Sequence, residues 1–142
     1  MKKRFRAYAI YQTGTTDQEE IVDLIERETG IAFEEDSDVE YGDYWSYPPP
    51  RVHGIRIDVI DNVLYDDDND NDSYSPRYPD SSMDTVLVDI GVEDINHPVF
   101  RFLLSRPDIF QPVETVSIFT DIEGKSVEIW EGYPPIPMEY LD

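Results

Sequence analysis

Seven consecutive residues, Asp66-Asp67-Asp68-Asn69-Asp70-Asn71-Asp72, offer side-chain oxygens at a density that suits a hard divalent cation. An EF-hand loop needs oxygen ligands at its first, third and fifth positions, glycine at the sixth and a bidentate glutamate at the twelfth. Counted from Asp66, the first three demands are met, but Asn71 stands where glycine is required and Arg77 where the glutamate is required. Counting from Asp68 puts Pro79 at the twelfth position. The run is no EF-hand. It reads as a solvated acidic loop, with irregular divalent-ion binding as its chemical alternative, and no cofactor or metal ligand set is assigned.

His53 and His97 are the only imidazoles, and neither has a patterned carboxylate nearby. A general base needs a positioned partner; His97 is better explained as the start of a helix, and His53 follows a proline-rich turn. There is no G-x-S-x-G elbow and no glycine-rich phosphate loop. Catalysis is not expected of this chain.

The segment from Glu34 to Tyr47 is chemically richer. Glu34, Glu35, Asp36, Asp38, Glu40 and Asp43 supply six carboxylates with no intervening cation, and Tyr41, Tyr44, Trp45 and Tyr47 interleave with them. Tyr and Trp are enriched among interface hot spots, and carboxylates around them would pair with Arg and Lys of a partner and steer its approach. The plainer alternative is that Tyr44 and Trp45 close one edge of the core while the acids face water. Asp66, Asp67, Asp68 and Asp70 form a second candidate contact surface.

Both segments belong to a charge imbalance that runs through the chain: 32 Asp plus Glu against 11 Lys plus Arg, a net of −21 in 142 residues. Lys2, Lys3, Arg4 and Arg6 hold four of those cations, so the rest is more acidic still. Solubility of a small domain needs a net magnitude of only about 2–8, and a larger surplus opposes compaction by self-repulsion. The excess points to a basic partner. It argues against direct nucleic-acid binding, which needs clustered Lys and Arg. A hydrophobic content of 39% with 13% aromatics separates the chain from disordered acidic tails. No cysteine is present, which excludes disulfides and thiolate metal sites. Neither a signal-peptide core nor a membrane span is evident; the expectation is a soluble, cytoplasmic protein.

The elements that must position these residues follow from periodicity. Phe5 to Tyr11 reads as a strand. Thr16 with Glu19 three residues later has the spacing of a capping box, and Ile21, Val22, Leu24 and Ile25 give a helical apolar stripe that Gly30 ends. Ile31 to Glu35, Gly54 to Ile60 and Thr85 to Ile90 read as strands. A loop spans about 61–82. Asn96 or His97 caps a second helix with Pro98 in its first turn and Phe100, Leu103 and Leu104 on its apolar face. Glu114 to Phe119 and Ser126 to Trp130 form a hairpin about Gly124. The proline-rich tail, about 132–142, is expected to lie extended on the surface. Residues 1–142 thus make one α+β domain, a mainly antiparallel sheet with two helices on one face, and the nearest simple topology is a ferredoxin-like split βαβ arrangement.

From Phe5 to Ile60 the chain resembles small α+β immunity proteins of bacterial polymorphic-toxin and contact-dependent inhibition systems. The resemblance is carried by a first strand, an acidic helix ending in Glu28-Thr29-Gly30-Ile31, a strand running into carboxylates, Tyr41-Gly42-Asp43-Tyr44-Trp45, and the strand GIRIDV. It implies a cytosolic inhibitor that binds one cognate toxin domain and occludes its active site, and leaves the toxin's activity open. Joined to the acidic surplus, the leading reading is a non-enzymatic inhibitor of a basic toxin domain, a nuclease before others. Two other classes use the same residues: a phage-type nucleic-acid mimic acting on restriction or CRISPR machinery, and a divalent-ion-binding module.

Overall fold

The computed structural model describes residues 4–39, 42–47, 54–66 and 73–142. The strands are β1 (Arg6–Thr13), β2 (Glu34–Asp38), β3 (Gly42–Tyr47), β4 (Ile55–Asp61), β5 (Leu64–Asp66), β6 (Ser73–Ser75), β7 (Val86–Val92), β8 (Phe110–Pro112), β9 (Val116–Ile122) and β10 (Lys125–Gly132). The helices are α1 (Gln18–Thr29) and α2 (Pro98–Ser105), with a short 3-10 helix at Met138–Tyr140. One antiparallel sheet runs β10-β9-β1-β7-β4-β3-β2, and β8 pairs with β1 beyond the end of β9. Strands β5 and β6 form a separate two-stranded ribbon. The α+β plan, with a mainly antiparallel sheet and two helices, is as the sequence indicates.

Period-two alternation sorts the sheet into two faces. Ala7, Ala9 and Tyr11 of β1, Ile55, Ile57 and Val59 of β4, Val86, Val88 and Ile90 of β7 and Val116 and Ile118 of β9 share one core. Ile21, Val22 and Ile25 of α1 and Val99, Phe100 and Leu103 of α2 enter the same core, so both helices lie on that face. The caps are local and chemical. Gly30 takes φ 79° and returns its N–H to the Glu26 carbonyl, a left-handed conformation that glycine adopts without penalty. His97 accepts the Val99 N–H through Nδ1 at 3.1 Å, directly ahead of Pro98. Burial lowers the His97 pKa, which favours the neutral ring that this acceptor role requires.

Several expectations need correction. Helix α1 is capped by Asp17 rather than Thr16: the Asp17 carboxylate accepts the Glu19 N–H at 3.0 Å. The second strand begins at Glu34, not Ile31, because the Phe33 N–H is taken by the Glu26 carboxylate and its ring is buried. The segment after β4 is not all loop. Asn62 is fully buried there; its Nδ2 donates to the carbonyls of Tyr78, Ser81 and Ser82, and its Oδ1 accepts the Tyr78 N–H. The C-terminal tail is docked rather than loosely extended. Ile136 is buried, Tyr140 meets Phe5 edge-on at 5.1 Å, and the Asp142 N–H reaches the Asn96 side chain.

One core group is left wanting. Tyr11 packs edge-on to Phe110 at 6.2 Å, and among the described residues its buried hydroxyl meets no hydrogen-bond partner. Burial pushes its pKa far up. Removing an unpaired buried hydroxyl relieves a desolvation penalty, so Tyr11→Phe should raise stability by about 1 kcal/mol in chemical denaturation. A loss of stability would mean that the hydroxyl has a partner.

Candidate functional site

Strands β2 and β3 pair in an unbroken register, Glu34↔Ser46 to Asp38↔Gly42, and β3 joins the sheet through β4. The carboxylates of β2 therefore sit on a sheet edge, a strand with a paired neighbour on one side only among the described residues. Alternation places Glu34, Asp36 and Asp38 on the face away from the helices and Glu35 on the helix side beside Trp45. Trp45 and Tyr47 pack against the core, with Tyr47 edge-on to Phe33 at 6.4 Å. Tyr44 is on the other face and donates its hydroxyl to Asp36 Oδ2 at 3.1 Å. Gln18, at the start of α1, ties the hairpin down: its Nε2 donates to the Asp43 carbonyl and to Asp61 Oδ1, both at 3.0 Å.

The result is a cleft of about 450 Å³ lined by Gln18, Glu35, Asp36, Ser37, Asp43, Tyr44 and Trp45. Five candidate contact residues thus share one concavity, with Glu34 and Asp38 on the same strand. Asp66 ends β5, in the separate two-stranded sheet rather than in this hairpin. Glu40, Asp67, Asp68 and Asp70 lie outside the described residues, as do Tyr41 and His53. Among the described residues no cation stands within ion-pair distance of Glu34, Glu35 or Asp43. Burial and the Asp84 charge raise the pKa of Asp61, the second acceptor of Gln18, against the hydrogen bond that Gln18 gives it.

A second polar cluster escaped the sequence reading. On the face opposite the helices, Asp58 and Asp89 are cross-strand partners, an arrangement that repels when both are charged. Arg56 pairs with Asp58 at 3.1 Å, and Arg77 approaches Asp89 at 4.0 Å. Beside them runs a groove of about 440 Å³ floored by Gly91 and walled by Arg6, Tyr8, Arg56, Asp89 and Phe119. The signal was an aspartate in the middle of each of two apolar strands, IRIDVI and VLVDI. No group of three or more His, Asp or Glu among the described residues is arranged to hold a metal ion.

Burial raises the Asp89 pKa above its ordinary value, with the Tyr8 hydroxyl and the Arg77 and Arg56 charges acting against it. The folded state therefore holds this proton more tightly than the unfolded chain does. Its favourable contribution is complete below the ordinary carboxylate pKa of about 4 and is lost as pH rises through the folded value. Asp89→Asn should accordingly stabilise the protein relative to the parent at neutral pH. The advantage should vanish in acid, as read from paired thermal melts across pH. A pH-independent difference would contradict this.

No protein-family model, curated protein or solved structure matches this chain. No helix among the described residues is long and apolar enough to cross a membrane. What the cleft does must therefore be argued from its chemistry. It offers carboxylates with no ion-paired cation among the described residues, one indole wall and a strand edge, a chemistry that suits a guanidinium or ammonium group.

Proposed function

We propose that this protein is a non-enzymatic inhibitor, an immunity protein that binds a basic toxin domain in the cytoplasm and occludes its active site. The observation that carries the reading is the cleft at the β2–β3 edge, lined by Glu35, Asp36, Asp43, Tyr44 and Trp45, with Glu35 and Trp45 on the helix side and the Asp36–Tyr44 pair on the other. In this mechanism the carboxylates occupy the electropositive groove that would otherwise hold substrate phosphates, which makes a nuclease the leading target. Trp45, backed by the core, supplies a preorganised apolar surface, so little side-chain entropy is lost on binding. The sequence resemblance to immunity proteins points the same way. The nucleic-acid mimic ranks second: Glu34, Asp36 and Asp38 do form a straight row, but β2 has only five residues.

The scaffold belongs to the same proposal. The four inner strands run β9-β1-β7-β4, with β1 and β4 pointing one way and β7 and β9 the other. With α1 following β1 and α2 following β7, that order supports reading the centre as a ferredoxin-like split βαβ unit, extended at one side by the acidic hairpin.

The test is capture from the source cell with immobilised protein, followed by mass spectrometry and an activity assay on what is retained. A basic protein should be retained and released by salt. Its nucleolytic activity should fall to baseline at one equivalent of inhibitor. Retention of a neutral or acidic partner, or a captured enzyme that stays active, would overturn the proposal.

A further inference from the structure

The backbone of β2 carries information beyond its charges. Ser37 donates its N–H to Asp36 Oδ1 at 2.8 Å, so this amide points along the sheet plane away from β3. In an antiparallel ladder outward amides alternate, which gives Glu35 the same orientation. The edge thus presents the N–H and C=O groups of Glu35 and Ser37 in a straight run, with five consecutive pairs to β3 behind them. The opposite edge of the sheet differs. In β10 the register shifts between Glu128 and Trp130, and such a bulge blunts an edge against strand addition.

Charge selects what can dock on β2. A second copy of this edge would bring carboxylate against carboxylate across the new pair, which is repulsive. An uncharged strand would bury Glu34 and Glu35 without neutralising them. A strand with Lys or Arg at alternate positions would place cations over Glu34 and Asp36 on one face. We propose that the β2 edge accepts an extended basic segment of the partner as an added strand. A partner cation draws the Asp36 carboxylate off the Ser37 amide, and a partner carbonyl takes that amide in its place. The carboxylate is thus a guard, closing the edge until a cation arrives. This rests on the reading of the hairpin as the partner-binding surface, and it adds the mode of binding.

The test uses a short synthetic peptide alternating lysine and valine, with fluorescence anisotropy for affinity and amide hydrogen exchange for location. Binding should slow exchange at Glu35 and Ser37 by at least about tenfold and leave β10 unchanged. N-methylation of the peptide amides on one edge should weaken binding by about tenfold, because hydrogen bonds to β2 are lost. The same modification on the other edge should do little. Equal binding by all three peptides, no binding, or protection at β10 would overturn the added strand. Failure of the inhibitor reading shows elsewhere: slowed exchange at β2 with a captured enzyme that stays active keeps the strand and removes the toxin.

Discussion

Asn62→Ala should lower folding stability by about 3 kcal/mol and make the segment between β4 and β7 sensitive to protease. The side chain is fully buried and serves four backbone groups, the carbonyls of Tyr78, Ser81 and Ser82 and the N–H of Tyr78. Its own backbone N–H adds a bond to the Thr85 carbonyl. A typical net hydrogen bond contributes about 1 kcal/mol, and a buried group stripped of its partner loses about 1–3 kcal/mol. The segment can escape that penalty only by opening to water. Opening would uncover the far face of the sheet, where Ile10, Ile60 and Leu87 are buried. The segment is held to that face by Ser81, which donates to Gln12, and by Arg77 at Asp89. Asn62→Asp separates this account from loss of volume. The carboxylate keeps the size but sets acceptors against three carbonyls, so it should destabilise at least as much as alanine. Equilibrium denaturation with limited proteolysis reads both; an Asp variant as stable as the parent would refute the hub.

What sequence shows and hides here divides by range. Gly30, His97-Pro98 and Gly124 announce their elements because each acts within a turn of itself. At the β9–β10 hairpin, Ile122 pairs with Lys125 and both intervening residues, Glu123 and Gly124, take positive φ, as a tight two-residue turn demands. The role of Asn62 is illegible by the same logic. It follows Asp61 at the end of an apolar strand and precedes Val63 and Leu64, with nothing local to mark it, and its partners lie 16 to 20 positions away. The start of β2 was misplaced because apolar Ile31 and Phe33 look more strand-like than Glu34 to Asp38. Strand propensity reports half-buried surfaces, and an exposed edge is the place where carboxylates can substitute for Val and Ile. The candidate site was legible as composition but not as shape. The interleaving of acids and aromatics marked the segment but not that Gly42–Tyr47 is a strand paired with Glu34–Asp38. Only the register shows that Trp45 leans on the core while Tyr44 turns to the other face and holds Asp36.

The register also makes the decisive functional experiment clean. Asp36→Lys combined with Asp43→Lys should slow association with the captured partner by about ten- to a hundredfold at low salt. It should also remove most of the salt dependence. Both side chains are exposed, and Asp43 holds Gln18 through its backbone carbonyl rather than its carboxylate, so the hairpin should stay docked. The control is Glu128→Lys, an exposed carboxylate on the opposite edge strand. At about 0.1 M salt the screening length is about 10 Å, so charge on the far edge contributes little to the field at the cleft. Stopped-flow association across an ionic-strength series distinguishes the cases. If Glu128→Lys slows encounter as much per charge as the double reversal, steering belongs to the whole anionic surface and the cleft has no special part in it. If the double reversal alone slows encounter, and dissociation also quickens, the same two carboxylates both guide the partner in and hold it. That outcome is expected if Asp36 must surrender the Ser37 amide for the partner's strand to seat.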